Sequence, residues 1–202
     1  MSRLKKQRHT ALGMSLGLIA LFAALMLFGL KQNPDFHPSV LFGQQAPAFD
    51  APTNQGSRFQ FPGPPPAQTS WTVMNFWSTS CSVCRREARH WEHLASTASP
   101  RLRLVSVNLQ NTPEDVRQWQ QDFQQTFPVV LDQTGSISVD YGVMGTPETF
   151  LIDERNIIRY RVTGLLPTQV LLGFLTWLEE HPQATEAAAS QALGDLYSKV
   201  LE

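Results

Sequence analysis

Hydrophobic residues along the chain follow two periods that alternate from segment to segment. Apolar runs and two-residue alternation predict strands, and apolar residues repeating every three or four positions predict helices. Strands are expected at residues 58–61, 71–76, 102–107, 127–131, 149–152 and 157–162, and helices at about 81–95, 112–125, 137–141 and 168–180. This alternation, followed by a final hairpin and helix, predicts an α/β fold with a central mixed β-sheet flanked by helices.

The helix expected after residue 111 has a strong start signal. Thr112 suits the N-cap position, and Pro113 suits the first helical position, where its missing N–H is not needed. Glu114 and Asp115 place negative charge at the positive end of the helix dipole. We therefore expect this helix to begin directly after Thr112.

The N-terminal residues differ in composition from the rest of the chain. Residues 11–30 contain no charge and are rich in Leu, Ala, Phe and Met, and this length spans a bilayer core as a helix. A cleaved signal peptide is the alternative, but the segment does not end in the A-x-A pattern of a cleavage site. We therefore predict one N-terminal transmembrane helix that is retained as an anchor.

Basic residues before this segment predict its orientation. Arg3, Lys5, Lys6 and Arg8 favour a cytoplasmic N-terminus, which places the rest of the chain on the other side of the membrane. The expected layout is a basic cytoplasmic segment at 1–10, the anchor at 11–30, a tether at 31–39, the folded domain at 40–182 and a C-terminal helical extension at 183–202. In a bacterium the folded domain would lie in the periplasm, held to the inner membrane by a single pass.

The charge of the chain is uneven. The formal net charge is −1, yet five of the 16 basic residues flank the apolar segment and all 17 acidic residues follow it. From Gln32 onward the chain carries 11 basic and 17 acidic residues, a net charge of −6. Nucleic-acid binding requires a basic surface, so this balance argues against it.

Cys81 and Cys84 are the only cysteines in the chain, and they follow the strand at 71–76 with C-x-x-C spacing. The spacing places both sulfurs at the first turn of a helix, where unpaired N–H groups and the helix dipole favour a thiolate. Cys81 would be the nucleophile, and Cys84 could close a reversible disulfide with it, so no other cofactor is expected. A C-x-x-C pair after a core strand of an α/β sheet predicts a thioredoxin-like fold.

A structural disulfide and a zinc site are the alternatives for the two cysteines. His90 and His93 lie on the same predicted helix. His90 would stand about 13 Å along that helix from Cys81, so the four side chains could not converge on one tetrahedral metal. We therefore expect no metal at this pair and surface positions for both histidines.

Three stretches carry a more specific pattern. They are Phe76-Trp77-x-x-x-Cys81-x-x-Cys84-Arg85-x-Glu87, the run from Tyr141-Gly142-Val143-Met144-Gly145-Thr146-Pro147-Glu148 to Thr149-Phe150-Leu151-Ile152-Asp153, and Pro38-Ser39-x-Leu41-x-Gly43-x-x-Ala46-Pro47-x-Phe49. Together they resemble the membrane-anchored thioredoxin-like proteins of cytochrome c maturation, the CcmG/DsbE group, and their relatives ResA and TlpA. The similarity extends over residues 38–180.

This resemblance implies a periplasmic reductant. Its client would be the disulfide of an apocytochrome c haem-attachment motif, and electrons would come from a membrane thiol transporter of the DsbD/CcdA kind. Ser80 and Ser82 stand where the group usually has Trp and Pro. A reductase, isomerase or oxidant for other exported proteins is therefore the alternative. The non-enzymatic alternative is an anchored metal- or haem-binding chaperone with two thiolate ligands.

The resemblance also implies roles for residues around the cysteine pair. Thr146 and Pro147 match a cis-proline loop beside the disulfide, where the Thr146 backbone would pair with a bound client. Glu87 matches an active-site glutamate, which could raise a thiol pKa or shuttle a proton. Asn75 stands where cytosolic thioredoxins carry a buried aspartate, so the proton-transfer role would pass to Glu87 or Glu148.

Other side chains are expected to be structural. Trp77 should pack in the core and border the site, whereas Trp91 and Trp119 are expected to serve packing only. A surface position is the alternative for Glu87, because glutamate is usually exposed. Apolar residues within 185–202 fall on one helical face, which predicts a last helix packed on the domain; a helix that docks a partner is the alternative.

Overall fold

The computed structural model describes residues 17–23, 25–26, 39–63, 69–97 and 101–201. The chain divides into two compact units, Met1–His37 and Pro38–Glu202. In the first unit, residues 17–23 and 25–26 are helical. Across the described ranges, no helix has both the length and the apolar character that crossing a membrane requires. The predicted basic segment at 1–10 lies outside the described residues, as do most of the predicted anchor and tether.

The second unit alternates strands and helices in the order expected from the sequence. Its elements are β1 (Phe49–Pro52), β2 (Arg58–Phe61), β3 (Trp71–Trp77), α1 (Ser82–Thr97), β4 (Leu102–Leu109), α2 (Pro113–Phe123), β5 (Val129–Asp132), α3 (Ser136–Asp140), β6 (Glu148–Asp153), β7 (Ile158–Thr163), α4 (Thr168–Glu180) and α5 (Glu186–Leu201). The strands and helices predicted from the hydrophobic pattern are confirmed, and β1 is an addition to them.

The central sheet has the strand order β5-β4-β3-β6-β7. Strand β3 runs parallel to β4 and antiparallel to β6, so the predicted mixed sheet is confirmed. All seven residues of β3 are buried, because the strand is central and both faces of the sheet are covered. At its carboxyl end Trp77 pairs with Asn108 of β4, and the chain then enters the C-x-x-C segment.

Strand β1 is not among the strands that the hydrophobic pattern predicts, because its sequence, Phe-Asp-Ala-Pro, is short and ends in proline. The strand forms because it pairs with β2: Phe49 lies opposite Phe61 in an antiparallel hairpin that is separate from the main sheet. The ring of Phe49 also stacks on those of Phe59 and Phe61, with centroids 6.0 and 5.7 Å away. Cross-strand aromatic pairs of this kind stabilise a hairpin that local propensity alone does not favour.

The start of α2 confirms the capping signal in the sequence. The Asp115 N–H donates to Thr112 Oγ1 at 3.2 Å, and the Thr112 N–H donates to the Asp115 carboxylate at 3.1 Å, which together form a capping box. The helix ends at Phe123, slightly earlier than expected, because Gln124 adopts the left-handed conformation with φ 55°.

Apolar side chains cover both faces of the central sheet. On one face Phe76 and Phe150 pack against Tyr141, with ring centroids 5.2 to 5.5 Å apart. On the other face Val73 belongs to a cluster that includes Trp91 of α1. Helix α1 is therefore packed against the sheet beyond the cysteines, and this packing holds its first turn at the end of β3.

The C-terminal segment packs on the domain through α5, as predicted. Ala189 and Leu193 are buried in the same cluster as the apolar residues of α4. The two helices approach closely at Gly173, where an added Cβ would lie 3.2 Å from Leu196 Cδ2. The Ser39 N–H also donates to the Glu186 carboxylate at 2.7 Å, which ties the start of α5 to the beginning of the described domain.

Candidate active site

The two cysteines form a disulfide at the amino end of α1. Their Cα atoms are 5.2 Å apart, within the usual range for a bridged pair. Cys84 is 2% exposed, whereas Cys81 is partly exposed just before the helix begins. An incoming sulfur can therefore reach Cys81 and not Cys84.

The first turn of α1 directs backbone donors at Cys81. The Cys84 N–H donates to Cys81 Sγ at 3.0 Å, and the Arg85 N–H donates to the Cys81 carbonyl at 3.1 Å. An N–H aimed at the sulfur, together with the positive end of the helix dipole, favours the charged form once the disulfide is reduced. The local geometry therefore suits Cys81 to act as a thiolate.

The loop before β6 lies against the exposed sulfur. The Thr146–Pro147 peptide bond is cis, and the Thr146 carbonyl oxygen lies 3.3 Å from Cys81 Sγ. Because a disulfide sulfur has no hydrogen, this is a close contact rather than a hydrogen bond. The structure thus brings together the C-x-x-C segment and the proline loop, which are 65 residues apart in the chain.

Trp77 and Asn75 form the floor of the site at the end of β3. The Trp77 Nε1–H donates to Ser106 Oγ at 2.7 Å, and its ring packs against that of Trp119 at a tilt of 31°, with centroids 4.7 Å apart. Asn75 Nδ2 donates to Thr149 Oγ1 at 3.1 Å and to Glu87 Oε1 at 3.4 Å. Trp77 is therefore buried packing that borders the site, as expected, and Asn75 orients Glu87.

Glu87 is fully buried, so the surface position that stood as an alternative is wrong. Besides Asn75, the Trp91 Nε1–H donates to its Oε1 at 3.1 Å, and the Leu166 N–H donates to its Oε2 at 3.3 Å. The expectation that Trp91 serves packing only is also wrong, because its indole nitrogen holds this carboxyl group. The three donors come from β3, from α1 and from the segment after β7.

Burial shifts the acid strength of Glu87. Loss of water around the carboxyl raises its pKa from 4.5 to about 7, and the hydrogen bonds from Trp91, Leu166 and Asn75 oppose part of that rise. The side chain can therefore both accept and release a proton near neutral pH. Groups tuned in this way suit general acid–base chemistry.

A small cavity connects Glu87 to the buried cysteine. Its volume is about 10 Å³, and its walls include Cys84, Glu87, Asn75 and Trp77. A space of this size holds at most one water molecule. Buried Cys84 and Glu87, the residue with the raised pKa, therefore line the same small cavity.

Glu148 lies elsewhere and has a different environment. It is fully buried, accepts the Met144 N–H at 3.2 Å and lies 3.7 Å from the guanidinium of Arg161. Arg161 also donates to the Gly142 carbonyl at 3.4 Å. Glu148 is not among the residues that line the cavity next to Cys84. Its contacts hold the loop that precedes Pro147.

Asn111 is a site residue that the sequence did not reveal. Its Oδ1 accepts three hydrogen bonds, from the Thr79 N–H at 2.9 Å, from Ser78 Oγ at 3.2 Å and from Asn108 Nδ2 at 3.0 Å. It therefore fixes the turn that leads into Cys81. The available signal was a pair of asparagines at the end of a core strand, but their partners at residues 77–79 lie about 30 residues earlier in the chain.

Replacing Asn111 by alanine should lower the free energy of unfolding by about 1–2 kcal/mol, because Asn108 Nδ2 and the turn lose their shared acceptor. Reversible urea unfolding of the oxidised protein measures the change. Asn111→Asp is the matched control, since a carboxylate oxygen accepts all three hydrogen bonds and should retain most of the stability. An aspartate variant as unstable as the alanine variant would contradict this role.

The surroundings of α1 complete the site. The guanidinium of Arg85 lies over the Trp119 ring, 5.0 Å from its centroid, so Trp119 also contacts the residue that follows Cys84. His93 is exposed and His90 is partly exposed. Within the part of the chain that the structure describes, no cluster of three or more His, Cys, Asp or Glu side chains is placed to hold a metal ion.

The chain is similar to known proteins over most of its length. Residues 42–161 match the AhpC/TSA family. The DsbE thiol:disulfide interchange protein of Xylella fastidiosa (strain 9a5c) is 31% identical over 176 residues, which cover 84% of this chain and 88% of that protein. The protein of the same name from Escherichia coli (strain K12) is 30% identical over 178 residues, covering 84% and 90% of the two chains.

A solved structure agrees with these relatives. StoA from Bacillus subtilis superposes with a TM-score of 0.55 at 25% identity, covering 66% of this chain and 96% of that one. The thioredoxin-like fold predicted from the sequence is therefore confirmed. By its sequence, its fold and its Cys81–Cys84 disulfide, the chain belongs to the AhpC/TSA family of thioredoxin-like proteins and, within it, to the DsbE thiol:disulfide oxidoreductases.

Proposed function

We propose that this protein reduces disulfides of exported proteins in the periplasm, and that apocytochrome c is its principal client. The proposed disulfide exchange rests on one observation: a partly exposed Cys81 is bonded to a buried Cys84, and the Thr146 carbonyl lies 3.3 Å from the exposed sulfur. The choice of apocytochrome c rests on the similarity to DsbE proteins and to the motifs of the CcmG/DsbE group.

The reaction begins with Cys81. In the reduced protein its thiolate attacks one sulfur of the client disulfide, a mixed Cys81–client disulfide forms, and the second client sulfur leaves as a thiolate. The donor at Cys84 N–H stabilises the attacking thiolate. The Thr146 backbone beside Cys81 would pair with the client strand and hold its disulfide in line with the sulfur.

Cys84 completes the exchange. Its thiolate attacks Cys81 Sγ, which re-forms the Cys81–Cys84 disulfide and releases the first client sulfur as a thiolate. The client gains two electrons, and the cysteine pair loses two. Cys84 must lose its proton before this attack, and Glu87 is the acceptor we assign, since both groups face the same cavity and burial raises the Glu87 pKa to about 7.

The proposed location follows from the N-terminal sequence. Residues 11–30 would anchor the protein in the inner membrane, with residues 1–10 in the cytoplasm and the redox domain in the periplasm. Thiols oxidise in that compartment, so each catalytic cycle needs new electrons. A membrane thiol transporter of the DsbD/CcdA kind would supply two electrons and reduce Cys81–Cys84 again.

Two residues beside Cys81 favour a second candidate client class. Ser80 and Ser82 are both exposed and stand where the CcmG/DsbE group usually carries Trp and Pro. They leave a smaller and more polar surface around the reactive sulfur, which suits disulfides of other exported proteins. Reduction rates for an oxidised C-x-x-C-H peptide and for a peptide with widely spaced cysteines would separate the two client classes.

The reduction potential of the Cys81–Cys84 pair tests the direction of the reaction. A reductant should equilibrate near the potential of thioredoxin, about −270 mV, whereas an oxidant such as DsbA lies near −120 mV. The measurement uses the folded domain in a glutathione or dithiothreitol series, with alkylation of free thiols as the readout. A value near that of DsbA would overturn the reductase proposal and favour an oxidant or isomerase.

A further inference from the structure

Helix α5 lies outside the region that matches the AhpC/TSA family, yet one of its side chains hydrogen-bonds a segment that contacts the active site. The family match covers residues 42–161, whereas α5 spans Glu186–Leu201. From this helix the Tyr197 hydroxyl donates to the Leu165 carbonyl at 2.5 Å. Burial raises the pKa of Tyr197, so its hydroxyl keeps its proton and remains a donor at neutral and mildly alkaline pH.

The hydrogen bond from Tyr197 ends on a peptide group that also contacts Glu87. The Leu165 C=O and the Leu166 N–H belong to one peptide unit, and this N–H donates to Glu87 Oε2 at 3.3 Å. A donor at the oxygen of an amide polarises it and makes its N–H a stronger donor. Tyr197, the Leu165–Leu166 peptide and Glu87 therefore form one chain of hydrogen bonds.

The same short segment contacts the proline loop. The Gly164 N–H donates to the Pro147 carbonyl at 2.8 Å. Gly164 has φ 88°, a left-handed conformation that glycine adopts without strain. Residues 164–166 thus join three parts of the molecule: the loop beside Cys81, the buried carboxyl group next to Cys84, and α5.

Helix α5 packs against the segment of residues 164–166. Leu166 is buried in a cluster with Ala189 and Leu193 of α5, and Tyr197 packs against that cluster. Among the described residues, the titratable groups near Glu87 are Cys84, which lines the same small cavity, and Tyr197, which interacts electrostatically with both Glu87 and Tyr160 of β7. No other side chain of α5 hydrogen-bonds this segment in the described region, so Tyr197 is the link.

We propose that Tyr197 is a positioning residue of the redox site: it orients the Leu165–Leu166 peptide against Glu87 and strengthens the hydrogen bond from that peptide to the carboxylate. Helix α5 thereby sets how readily Glu87 takes the proton of Cys84. This inference rests on the proposed role of Glu87 as proton acceptor. It assigns to the C-terminal helix a part in the chemistry as well as in packing.

The experiment is a titration of the Glu87 carboxyl group by ¹³C NMR in the full-length oxidised protein. Glu87→Gln identifies the signal by its loss. In Tyr197→Phe the pKa of Glu87 should rise by about 0.2–0.5 of a unit, because the weaker peptide donor stabilises the carboxylate less. Ser198→Ala is the matched control: it also removes a hydroxyl-to-carbonyl hydrogen bond in α5, but that bond lies within the exposed helix and should leave Glu87 unchanged.

A second variant changes donor strength without removing the hydroxyl. Replacement of Tyr197 by 3-fluorotyrosine makes the phenol a stronger donor at nearly the same size, so the pKa of Glu87 should fall. Opposite shifts for the two variants support the proposal. An unchanged pKa in both, or shifts of the same sign, would overturn it. If Tyr197→Phe does not fold, the direction of the Glu87 pKa shift in the 3-fluorotyrosine protein tests the proposal by itself.

The titration is independent of client reduction, because it uses the oxidised protein alone. Failure of the proposed role of Glu87 as proton acceptor has a different signature: the pH dependence of the Cys81–Cys84 reduction potential would be the same in wild type and in Glu87→Gln. That result would remove Glu87 from the chemistry and leave the link from Tyr197 to Glu87 intact.

Discussion

Replacing Cys84 by serine should trap the protein on its clients as a mixed disulfide. Cys81 remains partly exposed and can still attack, but the attack that releases the client is lost with the buried thiol. Client turnover should fall by at least about a thousandfold, as for other residues that act as one catalytic unit. Non-reducing electrophoresis of a membrane fraction, followed by mass spectrometry of the adduct bands, measures the trapping.

The matched control is Cys81→Ser, which keeps Cys84 in place. Because these are the only two cysteines, every adduct of Cys84→Ser must form through Cys81. Cys81→Ser should give none, since Cys84, within the first turn of α1, is only 2% exposed. Equal adduct formation in both variants would show that Cys84 is reachable, contrary to the order of attack proposed here.

The same pair of variants separates redox activity from metal or haem delivery. A chaperone that holds its cargo through both thiolates predicts loss of bound metal in either variant and no disulfide adducts. A redox enzyme predicts adducts in Cys84→Ser alone. Adducts that contain c-type apocytochromes would identify the client, and adducts of other exported proteins would favour the second client class.

Replacing Glu87 by glutamine should flatten the pH dependence of stability. The pKa of Glu87 is about 7 in the folded protein and 4.5 as the reference for the unfolded chain. Since the folded value is higher, the contribution of Glu87 to stability is fully present below pH 4.5 and is lost as pH rises through about 7. The shift corresponds to about 3 kcal/mol between those two limits.

Urea unfolding of the oxidised proteins at pH 4.5 and at pH 8 measures this effect. The wild type should lose about 3 kcal/mol more than Glu87→Gln between these pH values. Glutamine has one oxygen for three donors, so the variant also carries a cost of about 1–2 kcal/mol that does not depend on pH. Glu180→Gln, an exposed carboxyl at the end of α4, is the control and should follow the wild type. Parallel curves for wild type and Glu87→Gln would show that the folded protein does not hold a neutral carboxyl group at neutral pH.

Glu87 and Glu148 illustrate how two buried carboxyl groups near one disulfide take different roles. Glu87 receives hydrogen bonds from three neutral donors, and burial, which raises its pKa, outweighs their opposite effect. Glu148 lies 3.7 Å from a guanidinium and fixes the Met144 backbone. Glu87 also lines the small cavity next to Cys84, whereas Glu148 does not. Of the two, Glu87 therefore suits proton transfer.

Much of the fold could be predicted from the sequence because its signals are local. Hydrophobic period distinguishes a strand from a helix within a few residues, and the capping box at Thr112 and Asp115 lies within one helical turn. The C-x-x-C spacing likewise fixes the positions of Cys81 and Cys84 relative to their own helix. Such features depend on short stretches of backbone, so the order of elements and the redox pair could be inferred without tertiary contacts.

Strand β1 and the role of Asn111 could not be predicted in this way. Phe49 forms part of a strand only because Phe61 lies opposite. Asn111 becomes a site residue only because folding brings Thr79 and Ser78 to its side chain. In both cases the stabilising partner is distant in the chain, and nothing in the local sequence states which partner it will be.

The sequence by itself determined the class of chemistry: two cysteines at the amino end of a helix, after a core strand, in a domain with a net charge of −6 from Gln32 onward. Only the tertiary structure decided the electrostatics of the site. Glu87 is buried because Asn75, Trp91 and Leu166 converge on it from β3, α1 and the segment after β7. Desolvation depends on everything that surrounds a group, so the pKa of one glutamate depends on residues up to 79 positions away.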